Sequence, residues 1–370
     1  MGARRRAVRS DYMAWAKTLS QARFNLATSG VLPLPLAELE VSLADLETSA
    51  GGGASGYGYE PLQRALAAKC GVAAECVMAA LGTTLANYLA LAATLEPGDE
   101  VVMESPVYEP LLAAARLAGA NVRPFARRAE AGFQVEPAEV RRQVSRRTRL
   151  IALTNLHNPS AAFTDEATLG ELGEIAGAVG ARVLVDEVYL ELLWVEGERS
   201  SPPSSAFRLG PTFIVTSSLT KAYGLSGLRC GWALAEPELV QRMWEVFDVV
   251  VNAPAHAAER LSVLALARLG RIADRSAAIL ERNRPLLDRF LDSRPDLEVA
   301  RPRWGTVAFP RWRGGDVEPL CRLLRERYET TVVPGRFFGL PEHFRLGIGG
   351  ETETLAEGLN RLATALDELR

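Results

Sequence analysis

From residue 60 onward the chain alternates helix-length amphipathic stretches with short apolar runs, and this alternation constrains the fold more than any other feature. The strand-like runs are Glu100–Glu104, Leu150–Thr154, Arg182–Val185, Phe213–Thr216 and Leu228–Leu234, with helical patterns at Leu62–Lys69, at Leu85–Leu95 and between most of the strands. The order predicts right-handed βαβ units, hence an α/β fold with a mainly parallel sheet flanked by helices on both faces. In such sheets ligands bind at the carboxyl ends of the strands. From Glu236 to Leu269 the breakers are few, apart from Pro237 and Pro254, and long helices are expected to lead away from the sheet. Beyond them Arg301–Arg311 and Glu329–Val333 read as strands of a smaller α+β unit that ends in a helix over Thr354–Leu369. The first 45 residues show little sheet pattern and are expected to pack on that unit. The expected division is therefore a large domain over 46–255 and a small domain made of 1–45 and 256–370, with Gly51-Gly52-Gly53 as a loop or hinge.

Composition narrows the class of ligand. The net charge is −3 with 24% charged residues, which gives no electrostatic reason to expect nucleic acid or an anionic membrane as partner, so a small molecule is expected. No apolar stretch of roughly seven to fifteen residues follows the basic Met1 to Arg9, and no run is long enough to span a bilayer. Cys70, Cys76, Cys230 and Cys321 are scattered without a CxxC pair, against a disulfide framework or a zinc site, and a reducing cytoplasm is expected. Of 42 basic residues 39 are arginine; Lys17, Lys69 and Lys221 are the lysines. A guanidinium does not lose its proton in proteins, so chemistry that needs a neutral primary amine has three candidates.

Lys221 stands apart because it follows a strand inside Ser217-Ser218-Leu219-Thr220-Lys221-Ala222-Tyr223-Gly224-Leu225-Ser226-Gly227-Leu228-Arg229. Hydroxyls and a fixed positive fork suit a phosphate, and Ser218 and Arg229 lie close enough to Lys221 to share one pocket. This segment resembles the Ser-x-x-Lys-x-x-Gly-Leu-x-Gly-x-Arg pattern of the class I/II aminotransferases, fold-type-I enzymes that depend on pyridoxal 5′-phosphate. The resemblance implies a seven-stranded type of sheet, a Schiff base between Lys221 and the cofactor, and a phosphate held by Ser218 and Arg229.

Further parts of the same constellation occur upstream in the family's order. Val183-Leu184-Val185-Asp186-Glu187-Val188-Tyr189 is an apolar strand ending in a carboxylate, which alone reads as easily as a helix N-cap. By resemblance Asp186 pairs with the pyridine nitrogen and keeps the ring an electron sink, while Tyr189 donates to the ring oxygen. Asn155-Leu156-His157-Asn158-Pro159-Ser160 is similar to the Asn-Pro-[Thr/Ser]-Gly motif, whose asparagine contacts ring oxygen and substrate carboxylate; Ala161 stands where the family has glycine, and His157 is expected to be structural. Gly82-Thr83-Thr84 opens a helix, a ready anion site because its amide N–H groups are unpaired, and in the family the equivalent turn cradles the phosphate. Tyr108, after Ser105-Pro106-Val107, matches the aromatic that stacks on the pyridine ring.

In the smaller unit Val333-Pro334-Gly335-Arg336-Phe337-Phe338-Gly339 precedes His343-Phe344-Arg345-Leu346-Gly347, which is similar to the family's segment whose arginine forks the substrate α-carboxylate, here Arg345. Gly30, in Asn25-Leu26-Ala27-Thr28-Ser29-Gly30, is the candidate backbone contact to substrate, although Val31-Leu32-Pro33 replaces the family's usual Glu-Pro-Asp. The family often supplies a tyrosine from the neighbouring subunit to the phosphate. Tyr57 is the candidate, which implies a homodimer with the active site at its interface.

The resemblance covers about residues 25 to 350 and implies an aminotransferase acting on an amino acid and a 2-oxo acid. The alternatives are a lyase catalysing β-elimination or a decarboxylase on the same fold, and a ligand sensor fused to a DNA-binding module. The residues before the large domain lack a helix-turn-helix pattern, against the last. Val31, Leu32, Leu34 and Trp15 point to an uncharged or aromatic substrate side chain.

Overall fold

The computed structural model describes residues 9–46, 57–196 and 204–370, so Gly51-Gly52-Gly53 lies outside the described residues. After a short pair, β1 (Phe24–Asn25), the strands β2 (Val77–Leu81), β3 (Glu100–Ser105), β4 (Asn121–Ala126), β5 (Thr148–Thr154), β6 (Arg182–Asp186), β7 (Phe213–Ser218) and β8 (Cys230–Leu234) follow. Strands β2 to β8 form a seven-stranded sheet in the order β2-β8-β7-β6-β5-β3-β4. β8 runs antiparallel to both β2 and β7; the other pairs are parallel. The sheet is mainly parallel, as the alternation requires, and its exception brings the end of β2 beside the start of β8.

Each central strand is apolar on both sides because both faces are covered. Val183, Val185, Phe213 and Val215 belong to one buried cluster, and Leu184, Ile214, Met103 and Ala152 to another on the opposite face. The strands β2 and β4 had not been expected. β4 is an edge strand whose solvent-facing residues and Pro124 blur the apolar pattern. β2, Val-Met-Ala-Ala-Leu, owes its burial to small alanines that carry little hydrophobic signal.

Four helices matter for the site: α1 (Asp11–Thr18), α2 (Glu60–Cys70), α3 (Thr83–Thr94) and α4 (Glu109–Leu117). Long helices do follow the sheet, at Pro237–Val250, His256–Ala267 and Leu269–Asp292, and a helix over Thr352–Glu368 ends the chain. The strands expected at Arg301–Arg311 and Glu329–Val333 are shorter than the sequence suggests. Val307–Ala308 and Val333–Pro334 flank Phe344–Gly347 in a small antiparallel sheet. Pro302, Gly305 (φ +98°) and Pro310 break the first run, and Glu329, with a left-handed φ of +47°, delays the second to Thr330. The N-terminal segment contacts both early and late parts of the sequence: β1 pairs with Thr330–Thr331, while the Glu109 carboxylate of α4 accepts from the Asp11 and Tyr12 amides at 2.9 and 2.5 Å.

Candidate active site

Register aligns the site. Thr154 of β5 pairs with Asp186 of β6, and Asp186 with Thr216 of β7, so three carboxyl ends terminate side by side. Ser218 pairs with Gly231, and Gly231 with Ala80, which brings the Lys221 loop beside the Gly82 turn. A cavity of about 210 Å³ opens there, lined by Thr83, Thr84, Tyr108, Asn158, Asp186, Tyr189, Ser218, Lys221 and Arg229. Residues that the sequence scatters from 83 to 229 thus face one space.

Asp186 is buried, and its carboxylate accepts from Asn87 Nδ2 at 2.7 Å and from the Val188 amide at 3.1 Å. Asn87 Oδ1 in turn accepts from Thr216 Oγ1 at 2.5 Å. Burial pushes the Asp186 carboxyl up to about 6 against the pull of these donors and of Lys221. Lys221 Nζ donates to Ser29 Oγ at 3.1 Å. Burial, with Arg345 and Arg229 nearby, brings its amine down to about 8, the direction that frees a lone pair near neutral pH. Tyr189, buried and hydrogen-bonded with Ser29, is pushed up to about 12 by burial and stays a phenol that can donate.

The opposite end of the cavity fits an anion. Gly82 caps α3 with φ +79°, and a Cβ there would collide with the Arg229 guanidinium. Thr83 Oγ1 is buried without a hydrogen-bond partner, and Thr84 beside it is exposed. Arg229 itself adopts φ +51° at the end of a short turn, which delays β8 to Cys230 and leaves its guanidinium on Leu81 O at 3.3 Å. A helix N-terminus, an orphaned hydroxyl and a guanidinium held together are the donor set a phosphate needs. With the carboxylate of Asp186 and the amine of Lys221 in the same cavity, the residues fit pyridoxal phosphate.

A second cavity of about 490 Å³ shares Tyr12, Ser29, Thr220 and Lys221 with the first and is also lined by Trp15, Gly30, Val31, Leu32 and Glu351. A Cβ on Gly30 would stand 3.3 Å from Lys221 Cα and Cδ, so the glycine lets this strand lie against the lysine. Arg345 is fully buried behind the shared wall: its Nη1 donates to Asn158 Oδ1 at 2.7 Å, its Nη2 to Tyr12 OH at 3.0 Å and Ala27 O at 3.1 Å, and its Nε has no partner. Leu34 lies away from this cavity. Tyr57 lines neither cavity; it is 44% exposed and packs on Trp244, ring centroids 5.8 Å apart.

Beneath the site Glu104 and Arg127 form a fully buried ion pair at 2.6 Å. Glu104 also accepts from Thr154 N and Oγ1, and Thr154 Oγ1 accepts from the Asn158 amide at 3.0 Å, so the pair fixes the Asn158 loop. His157 bridges Pro106 O and Ser160 Oγ and is held neutral by burial, the structural part expected of it. Ala161 keeps the turn with φ +60°, the conformation glycine adopts more readily. Sequence reasoning missed Tyr12, Ser29, Asn87 and the Glu104–Arg127 pair. Asn87 alone left a signal, a polar residue on the buried face of α3, four positions after Thr83.

A family model for aminotransferase class I and II matches residues 36–362. Capreomycidine synthase of Streptomyces vinaceus is 31% identical, with 94% of this chain and 90% of that protein covered. The arginine–pyruvate transaminase of Pseudomonas aeruginosa is 31% identical over 80% of this chain and 76% of its own. Among solved structures, a pyridoxal-phosphate-dependent aminotransferase from Streptococcus suis superposes with a TM-score of 0.89 at 27% identity, covering 98% of both chains. Fold and site together define a fold-type-I pyridoxal-phosphate enzyme. The chain belongs to the class I and II aminotransferase family, and it moves an amino group between an amino acid and a 2-oxo acid.

Proposed function

We propose that Lys221 is the amine that carries the cofactor and the base that takes the proton from the substrate's Cα. The observation that carries this reading is the convergence of Lys221, Asp186, Tyr189, Ser218 and Arg229 on one cavity. Pyridoxal phosphate, when bound, supplies a carbonyl carbon that captures the substrate amine and a protonated ring that takes up the electrons left at Cα. Asp186 would hold the ring nitrogen, and its buried carboxylate, fixed by Asn87, keeps a negative charge aimed where a ring proton must stay. Tyr189 and Asn158 would hold the ring oxygen, Tyr108 the ring face, and Ser218, Arg229 and the Gly82-Thr83-Thr84 turn the phosphate. Ser29 orients Lys221 Nζ, and the depressed basicity of that amine leaves a larger neutral fraction at physiological pH. Arg345 and Gly30 are the contacts for the substrate's carboxylate end. Arg345 retains a donor without partner, Nε, and its Nη2 already serves the Tyr12 hydroxyl, which an α-carboxylate would supplement or displace.

The reading extends to assembly. A homodimer is supported by exposed apolar side chains, Tyr57 and, at the end of the Pro237–Val250 helix, Val249 (86% exposed) and Val250; Trp244 of that helix packs on Tyr57. In it Tyr57 would reach the partner's phosphate site. The large domain over 46–255 and the small domain over 1–45 and 256–370 would meet at Lys221 and Arg345. A cytoplasmic location is supported by four cysteines that are all free, and among the described residues no helix is long and apolar enough to cross a membrane.

The second reading, elimination or another bond cleavage at Cα, has one observation behind it: a relative that carries the name of a synthase and not of a transaminase. Product analysis separates the two. The protein loaded with pyridoxal phosphate is incubated with each amino acid and a 2-oxo acid acceptor. Transfer yields the new amino acid in equal amount to the 2-oxo acid released; free ammonia or carbon dioxide in its place would move the assignment to a lyase.

A further inference from the structure

The cavity of about 490 Å³ that opens from Lys221 is where a substrate side chain would enter, so its walls would set selectivity. Among the described residues lining it, the charged groups are Lys221 and Glu351. In a chain with 39 arginines, no arginine lines this cavity among the described residues. Glu351 is solvent-exposed on this wall; it precedes the helix Thr352–Glu368 without making a capping hydrogen bond, and no ion pair joins it to another of the described residues. The carboxylate is therefore uncommitted. Around it the walls offer neutral polar groups from Ser20, Gln21 and Thr354, and the indole of Trp15, the ring type that accepts cations best.

We infer that this cavity selects an amino acid whose side chain ends in a cation, a guanidinium or an ammonium, which pairs with Glu351. The inference rests on the aminotransferase reading of Lys221 given above. A planar guanidinium would meet the carboxylate with paired charge-assisted hydrogen bonds. A side chain ending in a carboxylate would approach Glu351 with no arginine on the walls to oppose it. An apolar side chain would find Val31 and Leu32 but would offer Glu351 no charge to pair with. This departs from the expectation of an uncharged or aromatic side chain, which weighed Val31, Leu32, Leu34 and Trp15 without the distant Glu351.

The test is a titration of the cofactor-loaded enzyme with L-arginine, L-citrulline of equal length and no charge, and L-aspartate, reading the half-saturating concentration of the cofactor's visible absorbance change. Arginine is expected to half-saturate at about one fifth of the citrulline concentration, the scale of one solvent-exposed ion pair. In E351Q the arginine-to-citrulline ratio is expected to fall to about one, a change that general damage to the fold would not produce, and E351R is expected to favour aspartate over arginine. Equal handling of citrulline and arginine by the unaltered enzyme, a preference for aspartate, or a ratio that survives E351Q overturns the inference. An enzyme whose absorbance answers none of the twenty amino acids contradicts the aminotransferase reading itself, and this inference with it; a response without charge preference sinks this inference alone.

Discussion

The two cavities that meet at Lys221 are built from different material. The smaller is walled by residues at the ends of neighbouring strands, Thr154, Asp186 and Ser218, whose positions follow from the register of the sheet. The larger is walled by α1, the Ser29–Pro33 segment and the turn before the last helix, brought together across more than 300 residues in the Arg345–Tyr12 contact. One half is held by the hydrogen-bonded register of the sheet; the other depends on loops and a terminal helix. Cofactor chemistry that must not vary sits on the sheet, and selection among substrates sits where the chain can be altered without disturbing it.

Substitutions on the two sides should therefore differ in kind. On the sheet side Asp186→Asn keeps the size of the side chain but removes the charge and one of the two acceptors that serve Asn87 and Val188; turnover with the preferred amino acid is expected to drop about 100- to 1,000-fold with little change in KM. On the loop side Tyr12→Phe removes a hydroxyl that Arg345 Nη2 donates to; steady-state kinetics should show about a tenfold loss in kcat/KM carried mainly by KM. If Tyr12→Phe fell on kcat and Asp186→Asn on KM, the division of labour would be wrong.

A subtler contrast concerns pH. The Lys221 amine is brought down from 10.5 to about 8 in the folded chain, so between those values the unfolded chain binds more protons than the folded one. Stability of the cofactor-free protein should then rise with pH from about 8 to 10.5, where wild type gains relative to Lys221→Ala in urea unfolding. Asp186, raised to about 6, has the opposite sign: the folded chain holds the extra proton, and its contribution to stability falls as pH rises from 3.8 to about 6. The smallest effect expected is at Ala161. Ala161→Gly relieves a left-handed residue by more than the freedom glycine adds to the unfolded chain, and should stabilise the fold by about 0.5 kcal/mol in the same assay.

The same contrast explains what could be read from the sequence. Asp186, Asn158, Ser218, Lys221 and Arg229 lie in short segments, each just after or before an apolar strand, and a strand end in an α/β sheet is a position that sequence reveals. The strands themselves were legible where they are buried on both faces, as in β5, β6 and β7. They were not where an edge position or small side chains remove the apolar run, as in β4 and β2. Tyr12, Ser29 and Glu351 were invisible for another reason: each is an ordinary residue locally, and its part is set by contacts with segments far along the chain. Glu104 and Arg127 likewise become a pair only when β3 and β4 lie side by side.

The central claim is that Lys221 carries the cofactor and takes the Cα proton. Its most direct test is the visible absorption spectrum of the protein reconstituted with pyridoxal phosphate, wild type beside Lys221→Ala, as an amino acid is added without any 2-oxo acid. The account predicts that wild type shows the band of the lysine-linked cofactor and loses it to the band of the aminated cofactor, while Lys221→Ala shows no lysine-linked band and converts the amino acid at least about 100-fold more slowly. A Lys221→Ala protein with the wild-type spectrum and rate would contradict it.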